Sequence, residues 1–244
     1  MFDKKKCFHP FQSLKKWLRQ LEASRHVHEA VENLILSSKL DPKFFIMCLL
    51  SGLMAALGIM LEDTVILIAA MVLAPLLNPL LALAAGVVLV HGRLVIYALK
   101  SFLGGFLPII FITALFVKIL VYFGQDVESM YIYDFTKRFT TTSSSLLISL
   151  VAHISGMAAV YSWLRPTNNA NLVGVAIAVS LIPFISFLGV SMGLNEWNAF
   201  ASAGLILAYN LLSIVSGAII MFFLLGFNSP KSRIDGDIKE AASG

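Results

Sequence analysis

Charged residues are scarce in this chain. They make up 13% of its 244 residues, whereas hydrophobic residues make up 58%. A soluble domain carries about a quarter of its residues as charges. The composition therefore excludes an ordinary soluble domain, and the mean hydropathy of +0.85 agrees with that conclusion.

Cysteines and buried acids are also few. The two cysteines, Cys7 and Cys48, fit neither a disulfide framework nor a metal site. No Asp or Glu lies in the central part of any long apolar run, which argues against a carboxylate-based proton pump or an intramembrane aspartyl protease. His153 lies among serines, but serine-peptidase chemistry needs an oriented base and an oxyanion hole. We expect a satisfied interior histidine there rather than a proton-linked group, and we expect no cofactor and no enzymatic activity.

The apolar residues occur in runs of membrane length. A helix needs about 20 apolar residues to cross a bilayer. The runs cover residues 43–60, 64–90, 94–123, 144–164, 171–193 and 198–226. The sequence thus predicts an all-α integral membrane protein with about six transmembrane helices.

The predicted domains follow from these runs. Residues 1–42 form a basic cytoplasmic segment, 43–227 the transmembrane domain, and 228–244 a polar cytoplasmic tail. Basic residues cluster before the first run and after the last, so the positive-inside rule places both termini in the cytoplasm. In a rival topology, runs 64–90 and 171–193 are re-entrant hairpins and only four crossings remain. Full spans are favoured because non-helical backbone must be sheltered from lipid.

The segment before the first run has the pattern of an amphipathic helix. Apolar residues recur at three- and four-residue spacing from Phe11 to Ile35, with a polar opposite face. The residues expected to contact anionic headgroups are Lys15, Lys16, Trp17 and Arg19. Alternatively, the apolar stripe packs on the ends of the spans or on a neighbouring copy in a homo-oligomer. The net charge of +4 needs no nucleic-acid partner.

Prolines interrupt two of the runs. Proline lacks an amide donor and clashes with the carbonyl four residues earlier, so Pro75 and Pro79 predict a broken helix around Asn78. Pro183 occupies a similar place in the fifth run, between Ser180 and Ser186. We expect these breaks to free backbone polar groups near the bilayer midplane.

An internal repeat accompanies the prolines. When Pro75 is aligned with Pro183, several neighbouring residues also match, and the Ser-Gly pair at Ser51 resembles the one at Ser155. Repeat one would cover residues 43–123 and repeat two 144–227. Because each holds three runs, the second would be inverted, as in many secondary transporters.

These residues lead to two hypotheses of function. The first is a transporter or channel for a small solute or ion. Its pathway would pass Pro75, Asn78, Pro79, Ser180, Pro183, Ser186 and Asn210. The second is a non-transporting membrane scaffold that recruits partners or oligomerises through residues 10–40. An intramembrane enzyme is a distant third.

One stretch resembles a known family. Residues 69–79 read Ala-Ala-Met-Val-Leu-Ala-Pro-Leu-Leu-Asn-Pro. They resemble the Gly-Ala-Met-x-x-Ala-Pro-Leu-x-x-Pro motif of the prokaryotic family called domain of unknown function 389. Residues 174–183 are similar to a later motif of that family, although Val173 and Phe184 stand where prolines are expected. The resemblance covers roughly 43–227. It implies the fold and a prokaryotic inner (plasma) membrane, and it carries no activity.

Overall fold

The protein is helical throughout the part of the chain that its computed structural model describes. That part comprises residues 24–124, 142–164 and 170–226, with side chains described for 31–124, 146–164 and 181–226. The helices are α1 (Ser24–Ser37), α2 (Pro42–Met60), α3 (Thr64–Leu73), α4 (Leu77–Val88), α5 (Gly92–Tyr122), α6 (Thr142–Leu164), α7 (Ala170–Gly193) and α8 (Trp197–Leu224). The predicted all-α fold is confirmed within these ranges.

Polar residues mark where several helices begin. The Asp41 carboxylate accepts a hydrogen bond from the amide of Phe44 at 2.6 Å, and Pro42 occupies the first turn of α2. Asp63 caps α3 through the amides of Val65 and Ile66. Such caps satisfy amides that have no partner within the helix. The apolar runs are therefore divided by local chemistry that the sequence already contains.

The second run is broken once, over fewer residues than the prolines predict. Ala74 is extended, with φ −78° and ψ 123°, and the axes of α3 and α4 differ by 57°. Pro75 has no amide to continue α3. Asn78 and Pro79, however, lie in the first turn of α4. The missing N–H of Pro79 is harmless there, because the first amides of a helix have no intrahelical acceptor.

The fifth run is not broken, which corrects the expectation for Pro183. Helix α7 continues through Pro183 from Ala170 to Gly193. A proline inside a helix costs about 3 kcal/mol. All the described side chains from 181 to 191 are buried, so packing on every side holds α7 in a helical conformation. Ser186 is among these buried residues, whereas the side chain of Ser180 lies outside those described.

The first helices alternate in direction. Gly58 of α2 lies against Leu67 of α3, and Ser51 lies against Ala70, so α2 and α3 are antiparallel. A bend of 57° lets α4 continue in the general direction of α3 instead of reversing it. A bent pair of this kind is the geometry of a broken span or of a re-entrant loop, and the shared direction of α3 and α4 favours the span.

Helix α5 runs parallel to α2. Gly105 contacts Phe44 near the start of α2, and Gly52, farther along α2, contacts Ile109. The chain must therefore have returned to its starting side between the two helices. Helix α7 is parallel to α5 as well, because Gly189 lies next to Ile110 and Gly193 next to Ala114.

Helix α7 forms the centre of the bundle. It packs against α2, α3, α5, α6 and α8, and it touches α4 over a small area. The surrounding helices expose large apolar side chains, such as Leu107, Leu147 and Leu205. Four described helices are long and apolar enough to cross a membrane, and the bent pair α3–α4 makes a fifth candidate. An apolar exterior around an apolar core is the pattern that a membrane-embedded protein would have.

The second half of the amphipathic N-terminal segment packs on the bundle. In α1, Val31, Leu34 and Ile35 are fully buried, and the helix contacts α4 and α6. The Tyr97 hydroxyl of α5 donates to the Ile35 carbonyl at 3.1 Å. Of the alternatives for the stripe, packing on the bundle is therefore the one that these residues adopt. Lys15, Lys16, Trp17 and Arg19 lie outside the described residues.

Candidate functional site

The break between α3 and α4 leaves backbone groups without helical partners. In a continuous helix, the Met71 carbonyl would accept the amide of residue 75, but Pro75 has none. The neighbouring Ala70 carbonyl instead accepts from the Ser51 hydroxyl at 2.7 Å, a buried hydrogen bond from α2. A side chain of another helix thus satisfies one acceptor at the end of α3.

The first turn of α4 presents donors to the break. Leu76 precedes the helix, and no side chain caps it. The amides of Leu77 and Asn78 have no acceptor within α4, and the helix dipole places partial positive charge there. Asn78 adds a half-buried amide side chain at the same turn. This arrangement could bind a negative or dipolar group.

The break lies where α1 and α2 meet along α5. A Cβ atom at Gly105 would lie 2.6 Å from Leu76 Cδ2 and 2.9 Å from the Phe44 ring, so an alanine there would require these side chains to shift. Gly105 is near the middle of α5, which has 31 residues. Next to it, Gly104 lies against Leu40 in the α1–α2 connection. The break is therefore level with the middle of α5 and with the first turn of α2.

The predicted pathway residues separate into two groups. Pro75, Asn78 and Pro79 lie together at the break. Pro183 and Ser186 lie on α7, and Asn210 is fully buried on α8. Helix α7 contacts both α3 and α4, and α8 contacts α4, so these residues occupy the helices that flank the break.

Two hydroxyl groups on α7 are buried without a hydrogen-bond partner among the described residues, those of Ser186 and Ser191. Ser191 also lies in a Gly-x-Ser-x-Gly sequence at 189–193, the pattern of a serine-hydrolase nucleophile. In hydrolases that serine sits on a sharp turn beside a base. Here it lies inside a continuous helix, and no described base is within hydrogen-bond distance. The pattern therefore does not form a nucleophile elbow.

A polar cluster joins α6 to α8, and sequence reasoning found only part of it. Ser149 Oγ lies 2.9 Å from Ser213 Oγ, and His153 Nε2 lies 2.9 Å from Ser216 Oγ. His153 Nδ1 lies 2.7 Å from the Ser149 carbonyl oxygen. His153 is thus a satisfied interior histidine, as predicted. The spacing of Ser213 and Ser216, three residues apart on one helical face, was the signal for the missing half.

The family assignment rests on the region that contains these sites. The family model described as "Domain of unknown function (DUF389)" matches residues 71–216. The chain belongs to this family. The match includes the end of α3, the break and the α6–α8 cluster of this DUF389 protein.

A relative extends the similarity beyond that region. An uncharacterized protein of Methanocaldococcus jannaschii is 27% identical over 208 residues, which are 85% of this chain. The chain spans 62% of that relative's length. No solved structure matches the chain significantly.

Proposed function

We propose that this DUF389 protein is a membrane transporter or channel that passes a small solute or ion along the break between α3 and α4. The observation that carries the proposal is the uncapped first turn of α4, with the half-buried Asn78, beside the middle of α5 and the first turn of α2. No side chain caps the amides at this helix start, and such amides need an acceptor in an apolar setting. Discontinuous helices in transporters use such groups to bind substrate.

The topology that we propose has six crossings with both termini in the cytoplasm of a prokaryotic cell, in its inner (plasma) membrane. The parallel direction of α2 and α5 supports this topology. If both helices begin on the cytoplasmic side, the chain crosses the membrane outward through α2 and returns through the bent pair α3–α4 before α5 begins. In addition, α6 and α8 are parallel to one another, since Ser149 pairs with Ser213 and His153 with Ser216. Alternating helices in two inverted repeats agree with these directions.

The break is expected to bind through its donors. Amides at a helix start favour anionic or dipolar groups, and the Asn78 side chain can both donate and accept. The continuous α7 contributes no second break, so the pathway proposed here needs only one. Ser186 on α7 and Asn210 on α8 belong to the helices that flank this pathway. Pro183 contributes to packing in this proposal and not to binding.

Flux through proteoliposomes tests the proposal. We expect Asn78→Ala to lower flux about tenfold, since removing one good hydrogen bond changes a barrier by roughly 1.4 kcal/mol. Pro75→Ala supplies the amide that the Met71 carbonyl can accept, so it should also lower flux, by letting the helix continue through the break. Flux is measured as KCl conductance and, for neutral solutes, as glycerol- or urea-driven vesicle swelling. Asn33→Ala is the matched control, because Asn33 is exposed on α1. Unchanged flux in correctly folded Asn78 and Pro75 variants would remove the break from the mechanism.

The scaffold hypothesis receives less support. It requires an apolar stripe within residues 10–40 that is open to partners. In the described part of that stripe, Val31, Leu34 and Ile35 are covered by the protein's own bundle. We propose that the preceding Lys15, Lys16, Trp17 and Arg19 contact anionic headgroups.

A further inference from the structure

The end of α1 and the α1–α2 connection pack on one face of α5. The Tyr97 hydroxyl of α5 donates to the Ile35 carbonyl at 3.1 Å. Two turns later on α5, a Cβ atom at Gly104 would lie 2.8 Å from Leu40 Cδ2. These two contacts hold residues 35–40 against residues 97–104 along one seam.

Two lysines lie between those contacts. Lys100 follows Tyr97 by three residues and precedes Gly104 by four, and residues at this spacing share one face of a helix. Lys39 lies in the other segment, one residue before Leu40. The side chain of Lys100 is exposed, and that of Lys39 is half-buried. The two segments therefore each place a lysine on the same stretch of the seam.

The positive charges of the seam are not neutralised by the acids that the structure describes. Within the described ranges, neither lysine forms an ion pair. Asp41 follows Lys39 by two residues, but its carboxylate accepts the Phe44 amide at 2.6 Å and caps α2. Lys43, in the first turn of α2, is exposed and adds a third positive charge. The ammonium groups of this patch can therefore donate to a negative ligand.

The lengths of α2 and α5 determine the depth of the patch in a bilayer. Helix α2 has 19 residues and rises about 28 Å, close to the hydrocarbon thickness of about 30 Å. Gly105 of α5 contacts Phe44 in the first turn of α2. From Gly105 to Tyr122, α5 rises about 26 Å, so the part of α5 before Gly105 extends beyond the hydrocarbon. In the membrane setting proposed above, Lys100 lies about 7 Å farther out, at the depth of the headgroups.

Apolar side chains continue the patch toward the hydrocarbon. Leu103 and Leu107 follow Lys100 on α5 at three- and four-residue spacing, and both are exposed. Leu40, which covers Gly104 from the other segment, is exposed as well. A free phosphate ion would contact the lysines alone. A ligand that matches the whole surface has a negative head and an apolar tail.

We propose that Lys39 and Lys100 bind the phosphate of an anionic phospholipid whose acyl chain lies along Leu103 and Leu107. Ammonium groups donate charge-assisted hydrogen bonds to phosphate oxygens. Lys43 adds attraction from the start of α2. A zwitterionic phospholipid carries a positive group that offsets its phosphate, so it binds less tightly. The proposal is independent of the pathway at the break.

Lipid retention by the purified full chain tests the proposal. Immobilised protein in dodecyl maltoside is equilibrated with phosphatidylglycerol and phosphatidylcholine at equal concentrations, and the retained lipids are quantified by mass spectrometry. We expect the wild type to prefer phosphatidylglycerol. Lys39→Gln and Lys100→Gln should each lower this preference about fivefold, which is the effect of one lysine near anionic lipid. Equal retention of the two lipids by the wild type would overturn the proposal.

A lysine elsewhere on α5 provides the matched control. Lys118 is exposed near the other end of this helix, and Lys118→Gln should keep the wild-type preference. The lysines of residues 1–23 are present in every variant, so their effect cancels in the comparison. Lys100→Arg keeps the charge and should retain the lipid. Equal losses in Lys100→Gln and Lys118→Gln, with helix content unchanged by circular dichroism, would show general charge attraction and contradict the site.

Inorganic phosphate distinguishes a lipid from a free anion. The retention assay is repeated with sodium phosphate in large excess over lipid, and with sodium chloride at the same ionic strength. We expect phosphatidylglycerol to be retained equally in both, because its acyl chain adds contacts that phosphate lacks. Displacement by phosphate but not by chloride would assign the lysines to a free anion and overturn the lipid. Asn78→Ala should keep the lipid preference whether or not the break conducts.

Discussion

The contact between α6 and α8 gives a prediction whose size can be worked from the structure. A Cβ atom at Gly217 would lie 2.1 Å from the His153 carbonyl oxygen and 2.8 Å from its carbonyl carbon. Both atoms belong to the backbone, so no change of rotamer can relieve the overlap. Gly217→Ala therefore requires the two helices to separate by about 1 Å, to reach an ordinary van der Waals distance.

Two opposing terms set the magnitude. Overpacking of this kind costs about 1–3 kcal/mol. Alanine in a helix interior is favoured over glycine by about 1 kcal/mol. Gly204 lies on the same helix with its nearest neighbour, Leu188 Cδ2, at 3.8 Å, so Gly204→Ala should receive the second term alone. We expect Gly204→Ala to stabilise the protein by about 1 kcal/mol. Gly217→Ala should be less stable than Gly204→Ala by about 1–3 kcal/mol.

Denaturant unfolding of the two variants in the same detergent, followed by circular dichroism, measures this difference. Both substitutions replace glycine by alanine on α8, so comparing the two variants cancels most effects of the detergent and of the unfolded chain. Equal stabilities, or a Gly217→Ala variant more stable than the control, would show that α6 and α8 do not approach as closely as described.

Two further predictions concern α1 and a strained turn. Leu34→Ala should destabilise the protein by about 2–5 kcal/mol, because Leu34 is fully buried. The control Leu36→Ala, at a position that is 51% exposed, should change stability little in the same unfolding assay. Val90 has φ 52°, in the left-handed region, where a β-branched residue is strained. Val90→Gly should therefore raise stability by about 1 kcal/mol, measured as a higher melting temperature. The control Val87→Gly lies inside α4 and should lower stability by a similar amount. A lower melting temperature for Val90→Gly would refute the strain at this turn.

Local chemistry explains the parts of the fold that sequence reasoning predicted well. Asp41 with Pro42, and Asp63, start helices through contacts within a few residues, so their effect is visible in the sequence. The break at Pro75 follows from the missing amide in the same way. The sequence did not show that the break is shorter than the segment from Pro75 to Pro79. Pro79 fits the first turn of a new helix, so α4 can begin before it.

The candidate sites were predictable only in part. Asn78 and Pro75 could be identified because proline and a polar side chain stand out in an apolar run. The partner of the Ala70 carbonyl could not, because Ser51 belongs to another helix. Ser216 was missed as a partner of His153 for the same reason: the two residues are 63 positions apart in the chain.

The sequence by itself determined the apolar character, the number and length of the runs, and the place where the second run must stop being helical. These properties depend on composition and on bonds between residues close in the chain. Only the tertiary structure decided that α7 stays continuous through Pro183, that α1 is covered by the bundle, and that His153 meets Ser216. Each of these outcomes depends on packing between distant segments, whose energy exceeds the local preference of a single residue.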